Sequence, residues 1–170
     1  MADKQDAIAL LKADHRAVEE LFEKFEGAKG DGAKQRIALE ICLQLTVHAQ
    51  IEEEIFYPAC EGSVEEDDLK EAYVEHDGAK VLIAEIEAGN PDDDYYDAKV
   101  KVLSEEIKHH VKEEEQPKGI FAQAKELNLD LADLGQQMAA RKEELMADFE
   151  KNGLPEPTMI TMKASGELRA

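Results

Sequence analysis

The chain has 170 residues, and its 40 acidic and 20 basic side chains give a formal net charge of −20. A single domain commonly takes about 100–200 residues, so one domain is expected. An acidic surface repels nucleic-acid phosphates and anionic lipid headgroups, which excludes both as expected partners. Hydrophobic residues make up 43% of the chain, and with few prolines and no tryptophan this composition favours a helical bundle.

The two cysteines and the N-terminus indicate a reducing compartment. Cys42 and Cys60 are 18 residues apart, and on one helix their separation would be about 27 Å, too far for a disulfide. The N-terminus lacks the apolar stretch of a secretion signal. No run approaches the roughly 20 apolar residues of a membrane span. We therefore expect a cytoplasmic protein without membrane contact.

Glycine and proline divide the chain into five predicted helices, which cover about residues 3–28, 33–59, 63–88, 92–116 and 131–149. The third helix is expected to open with a capping box, in which Ser63 and Glu66 satisfy the first backbone N–H groups. The tail from Gly153 contains two prolines and is expected to be irregular.

Each of the first four helices carries an apolar stripe with steps of three or four residues, which is one helix face. Four such faces predict an all-α, antiparallel, up-down four-helix bundle with short loops. Every stripe also contains a histidine where a Leu or Ile would otherwise fit, and two stripes contain a glutamate one turn later. These polar positions are His15, His48, Glu52, His76, His110 and Glu114.

The polar positions form two matching halves of the chain. Because positions i and i+4 lie on one helix face, His48 with Glu52, and His110 with Glu114, direct an imidazole and a carboxylate to the same place. The first and second histidines are 33 residues apart in one half and 34 in the other. Two helical hairpins would therefore meet around a pseudo-twofold site. His109 lies about 100° round the helix and is expected to flank that site.

Two interpretations of these polar positions compete. Single buried histidines are often satisfied by hydrogen bonds alone, but two unpaired buried carboxylates would cost several kcal/mol each. A pair of divalent cations removes that cost, since carboxylates and neutral imidazoles are metal ligands. Six ligands are too many for tetrahedral zinc. They suit two ions bridged by both glutamates, with a position open for a small molecule, and carboxylate-bridged sites in bundle cores favour iron.

The sequence resembles the hemerythrin-like, HHE cation-binding family through DHRAVEELF, HAQIEEEIFYP, EHDGAK and HHVKEEE, over about residues 5–122. The resemblance implies a hemerythrin-type bundle over 1–122 with a non-haem, oxo- or hydroxo-bridged di-iron centre held by the six residues above. Residues 123–170 would add a C-terminal helix and tail that pack on the same domain or extend from it.

The chain departs from oxygen-carrying hemerythrins at two positions. Lys80 stands where those proteins have a further histidine, and the last motif is HxxxE in place of HxxxxD. Family members with this shorter ligand set are similar in fold and vary in role. Tyr57 follows the first motif, and an approach to the metals is one alternative for it. Its position is off the ligand face, so packing at the helix end is expected.

We therefore expect a binding or sensing protein for O2 or a related small molecule such as peroxide or nitric oxide. The alternatives are an enzyme that detoxifies peroxide or nitric oxide, and a protein that buffers iron. The fifth helix either covers an open side of the bundle or contacts a partner protein, and the tail is a second candidate for such contact.

Overall fold

The computed structural model describes residues 5–163, and within them the regular structure is entirely helical. Its helices are α1 (Ala7–Gly27), α2 (Asp31–Ile51), α3 (Tyr57–Cys60), α4 (Glu66–Ala88), α5 (Tyr96–Glu115), α6 (Ile120–Glu126) and α7 (Leu131–Asn152). A π-helical turn, Glu52–Phe56, joins α2 to α3 without a break. The five long helices lie where the sequence predicts them, with ends that differ by a few residues, whereas the short helix α6 was not predicted.

Helices α1, α2, α4 and α5 form the predicted four-helix bundle, in which α1 pairs with α2 and α4 pairs with α5. The apolar core is divided into two clusters along the bundle axis. Along α1 the division falls between Leu11, in one cluster, and Val18, in the other. His15 lies between them, so the histidine layer is the boundary between the two apolar clusters.

The start of α4 differs from the prediction. The helix begins at Glu66 after the N-cap residue Glu65, and that cap makes no side-chain hydrogen bond to the helix. The backbone N–H of Glu65 donates instead to Gln123 Oε1 at 2.8 Å. The capping box at Ser63 was therefore a wrong prediction, because a side chain from α6 satisfies this end of the helix.

Helix α7 covers the side of the bundle formed by α1 and α2. Its inner face buries Met138, Leu145 and Phe149 in the first apolar cluster. Gly135 allows the closest approach, since a Cβ there would lie 2.5 Å from the backbone oxygen of Gln5. Covering the bundle was one of the two roles expected for this helix.

The chain continues beyond α7 as an irregular segment, residues 153–163, which we call the C-terminal strap. It returns to α4, where Asp77 accepts hydrogen bonds from the backbone N–H groups of Ile160, Thr161 and Met162. Lys80 donates to the carbonyl of Thr158 at 2.9 Å. The expected irregular tail is therefore tied to the bundle over this range, and its last residues, 164–170, lie outside the described part of the chain.

Both cysteines are core residues. Cys42 and Cys60 are buried and unbridged. Burial, with smaller contributions from nearby glutamates, raises the pKa of each thiol to about 12. Both therefore stay protonated near neutral pH. In residues 5–163, none of the helices has the combined length and apolarity needed to cross a membrane.

Candidate metal centre

The structure brings the six predicted residues together in one buried layer across the middle of the bundle. Helices α1, α2 and α4 contribute one histidine each, α5 contributes a histidine and a glutamate, and the π-helical turn contributes the other glutamate. Their exposed fractions are His15 4%, His48 7%, Glu52 0%, His76 5%, His110 4% and Glu114 0%.

The four imidazoles form two pairs. Nε2 of His15 lies 3.2 Å from Nε2 of His48, and Nε2 of His76 lies 3.2 Å from Nε2 of His110. Glu52 lies between the pairs. Its Oε1 is 3.2 Å from His48 Nε2, and its Oε2 is 3.1 Å from His76 Nε2.

Glu114 also spans the two pairs, but less evenly. Its Oε2 is 3.3 Å from Nε2 of His15, whereas its Oε1 is 3.5 Å from Nε2 of His110. Two groups of side chains have donor atoms close enough to hold a metal ion, and Glu52 belongs to both. The first group is His15, His48, Glu52 and Glu114, and the second is Glu52, His76 and His110.

Each imidazole turns its other nitrogen, Nδ1, towards a further carboxylate. The four contacts are His15 to Glu115 at 2.7 Å, His48 to Asp14 at 3.3 Å, His76 to Glu53 at 2.9 Å and His110 to Glu75 at 2.5 Å. A carboxylate on Nδ1 fixes the ring orientation and leaves the Nε2 lone pair free for a metal. These contacts follow the pseudo-twofold relation between the two halves of the chain.

Sequence reasoning missed these four acids, although a signal was present. Asp14 and Glu75 directly precede the first histidine of each half, and Glu53 and Glu115 directly follow the layer glutamates. An acid beside the first histidine and beside the glutamate of each half is therefore the sequence signature of this outer set. On an acidic chain it was indistinguishable from solvated surface charge.

Each outer carboxylate in turn contacts a basic side chain. Arg16 lies 2.8 Å from Glu115, Lys80 2.9 Å from Glu53, and His109 3.3 Å from Glu75. His109 is thus the flanking residue that the sequence predicted. The fourth basic side chain is Lys142 of α7, which contacts Asp14, so the C-terminal helix also contributes to the surroundings of the layer.

Tyr57 lies in the layer, and the prediction that it packs away from the ligand face was wrong. In a regular α-helix five residues turn about 500°, which would leave Tyr57 about 140° away from Glu52. In the structure the N–H of Tyr57 bonds to the carbonyl of Glu52, five residues earlier. This wider turn brings both side chains onto one face. The phenol donates to Glu114 Oε1 at 2.6 Å and lies 3.3 Å from His76 Nε2.

The buried carboxylates of the layer stabilise positive charge on the neighbouring imidazoles. Burial disfavours the imidazolium form, yet Glu52 and Asp14 outweigh it and raise the pKa of His48 to about 10. Burial also disfavours the charged form of His76, but Glu52 and Glu53 outweigh it and raise the pKa of His76 to about 9. Despite its burial, the two imidazoles hold the pKa of Glu52 well below its usual range.

Divalent metal ions satisfy this layer better than protons do. Glu52 Oε1 and Glu114 Oε2 are buried and accept no hydrogen bond from any described residue. In each imidazole pair the two Nε2 atoms face one another, and a single proton can be bonded to only one of them. A cation accepts a lone pair from both nitrogens and from a carboxylate oxygen at once. The residues present therefore fit metal binding.

Replacing Tyr57 with phenylalanine should destabilise the metal-free protein by about 1–3 kcal/mol, the usual cost when a buried charged acceptor loses its donor. Burial and the two layer glutamates raise the pKa of Tyr57 well above its usual value, so the phenol stays protonated and donates. Urea unfolding of the chelator-treated variants measures the change.

Tyr73→Phe is the matched control, since the ring of Tyr73 packs edge-on against Tyr57 at 5.3 Å and its hydroxyl lies outside the layer. Equal losses of unfolding free energy in the two variants would contradict a special role for the Tyr57 hydroxyl.

The fold and the layer define a helical bundle with a histidine- and glutamate-lined metal-binding core. Residues 6–118 match the family model described as the hemerythrin HHE cation binding domain. The chain belongs to this family. This confirms the resemblance stated from the sequence motifs.

Two further similarities place the chain among known proteins. A DNA nickase from Nostoc sp. is 31% identical over 116 residues, which cover 67% of this chain and 33% of that protein. The chain thus spans about a third of that relative's length. The crystal structure of a hemerythrin HHE cation binding domain-containing protein from Mycobacterium kansasii superposes with a TM-score of 0.72 at 22% identity, covering 88% of this chain and 94% of that one. This second likeness supports the fold.

Proposed function

We propose that the protein holds two non-haem iron ions and binds O2, or a related small molecule such as peroxide or nitric oxide, as a binding or sensing protein. The observation that carries this proposal is the position of Glu52, whose two carboxylate oxygens each face a different imidazole pair. That arrangement is the one a carboxylate bridging two ions requires. Carboxylate-bridged sites in bundle cores are known to hold iron, which supports this choice of metal.

The ligands in this proposal divide between the two ions by pairs. His15 and His48 would hold one ion, His76 and His110 the other, and Glu52 and Glu114 would lie between them. Each ion then has four protein donors, and a bridging oxide or hydroxide would add a fifth. A position is left on the metals for a small exogenous ligand, and bound iron would supply electrons to that ligand.

The chain's own residues prepare the site for this role. The outer carboxylates hold each imidazole with Nε2 towards the layer, so that little reorganisation is needed when a ligand binds. The hydroxyl of Tyr57 lies beside the donor atoms and can donate a hydrogen bond there. A cavity that reaches all four histidines gives a small molecule access to the layer.

Tyr57 also favours a second candidate, an enzyme that decomposes peroxide or reduces nitric oxide at the same site. Reduction of nitric oxide consumes protons, and cleavage of the peroxide O–O bond moves a proton onto the departing oxygen; a buried O–H group 2.6 Å from a layer carboxylate is placed to pass one. The DNA-nicking activity named for the Nostoc relative is not part of the proposal. The shared region is a third of that protein, and a net charge of −20 opposes binding to DNA.

Metal analysis followed by stopped-flow spectroscopy of the reduced protein tests the proposal. We expect two irons per chain and an oxygenated absorption band that is stable and reversed by removing O2. Turnover of peroxide without that band would favour the enzyme, and rapid loss of iron to a weak chelator would favour an iron buffer. Failure to take up iron would contradict all three.

A further inference from the structure

A cavity of about 500 Å³ extends from the metal layer between α2 and α4. On α4 its lining runs from His76 to Glu87, a distance of about 16 Å at 1.5 Å per residue. Beyond the histidines the walls are mainly aliphatic, and the C-terminal strap forms one side. Wall residues include Val18, Leu45, Ala79, Ile83, Ala84 and Ile107.

The cavity is far larger than the small molecules considered above require. A two-atom ligand such as O2 needs a volume similar to that of one water, about 30 Å³. Pockets for organic molecules measure about 300–1,000 Å³ and are lined mostly by apolar side chains with a few polar groups. Size and lining therefore both indicate an organic occupant with an apolar body.

The charges around the cavity exclude an anionic occupant. Four glutamates line it outside the metal layer: Glu53, Glu54, Glu87 and Glu156. Lys80 is the one basic residue other than histidine among the lining residues, and it already donates to Glu53, Asp77 and the carbonyl of Thr158. No lining lysine or arginine is left to pair with a carboxylate or a phosphate group, and the imidazoles of His48 and His76 already face carboxylates of the protein.

The far end of the cavity is also unfavourable to negative charge. Burial, together with the nearby charge of Glu156, raises the pKa of Glu87 above its usual value. A carboxylate brought to this end would add a third negative group beside two glutamates, both of which are solvent-exposed. An uncharged polar group, by contrast, can share a hydrogen bond with either glutamate.

The strap encloses the cavity through defined contacts. Asp77 accepts hydrogen bonds from the N–H groups of three successive strap residues, with N···O distances between 2.6 and 3.0 Å. Leu154, Pro155 and Pro157 line the cavity from the strap. The strap is therefore a non-helical segment that is held by hydrogen bonds near its far end. An elongated molecule can enter the cavity when these hydrogen bonds to Asp77 break.

We propose that this cavity binds an elongated, uncharged aliphatic molecule of the medium-chain alcohol class, with the strap closing over it. This inference goes beyond the proposed function, because the aliphatic walls provide the affinity and bound metal is not required.

Displacement of Nile red, an uncharged fluorescent dye, by 1-decanol or by decanoate tests the proposal on the full chain. We expect 1-decanol to displace the dye from one site per chain with and without prior chelation of metal, and decanoate to bind at least tenfold more weakly to the chelator-treated chain. Equal affinity for the two compounds, or no displacement by 1-decanol, would overturn the proposal. Dependence of 1-decanol binding on metal would overturn the claim that the walls suffice.

A variant with a bulky side chain in the cavity tests whether the alcohol binds there. Ala84→Phe places a ring in the cavity and should weaken 1-decanol binding at least tenfold, whereas Ala132→Phe on the exposed face of α7 should leave it unchanged. Equal binding by both variants would show that the molecule binds elsewhere. The comparison of 1-decanol with decanoate uses the unaltered protein, so it does not depend on the folding of a variant. Iron content is measured in parallel, so that a failure of alcohol binding can be told apart from a failure of iron binding.

Discussion

Replacing Glu52 with glutamine should leave the protein unable to hold two metal ions. Among the described residues, Glu52 is the side chain that the two candidate ligand groups share. The amide keeps the shape of the carboxylate but loses its charge and its second anionic oxygen. Substituting the outer partner of a metal ligand already costs about 10–100-fold in affinity, so we expect a loss greater than about 100-fold.

Two further variants test whether the loss of metal is specific to Glu52. Glu54→Gln changes a neighbouring glutamate that pairs with Arg141 at 2.7 Å, outside the layer, and should bind metal normally. Glu114→Gln should retain more metal than Glu52→Gln, because Glu114 belongs to one candidate group and Glu52 to both. Iron per chain after dialysis, with circular dichroism to verify folding, gives the comparison. Two irons retained in Glu52→Gln would refute the shared-carboxylate assignment.

Gly119→Ala should be the most destabilising small substitution that we can identify. A Cβ at Gly119 would collide with the backbone oxygen of Glu113 and lie 2.6 Å from that of Glu114. Both atoms belong to the last turn of α5 and cannot rotate away. Overpacking of this kind costs roughly 3 kcal/mol, which for a chain of this size lowers the melting temperature by roughly 6–12 °C.

Gly119→Ala should also weaken metal binding at the layer. Gly119 begins the turn into α6, where the ring of Phe121 stacks on the imidazole of His15 with centroids 5.8 Å apart. A displaced α6 withdraws that support, so metal affinity should fall together with stability. Gly32→Ala is the control, since a Cβ at that helical position meets nothing within 4 Å. It should leave stability unchanged or raise it by up to about 1 kcal/mol. Matching melting temperatures for the two variants would contradict the collision.

The sequence predicts the bundle and the composition of its polar layer because both depend on helical periodicity alone. His15 and His76 lie on apolar stripes whose steps of three and four residues are unambiguous. The grouping of these side chains in one layer then follows from helix geometry. Their role as metal ligands stays a proposal that the variants above test.

The features that the sequence does not predict depend on departures from regular helix or on contacts between helices. Tyr57 reaches the layer only because the helix widens to a π-turn after Ile51, which a 3.6-residue period cannot anticipate. The N-terminal end of α4 is completed by Gln123, 58 residues away along the chain. Contacts between residues so far apart in the sequence depend on how the helices pack, and the local sequence pattern does not predict them.

The contact between Lys142 and Asp14 links the part of the chain that supplies the candidate ligands to a later part that can adjust one of them. The family match ends at residue 118, after all six layer residues, whereas Lys142 lies on α7 and acts on His48 through Asp14. A chain shortened to the matched region would keep every candidate ligand and lose one of the four basic side chains that contact the outer acids. A change at Lys142 can therefore alter the basicity of one candidate ligand while the candidate ligand set stays constant.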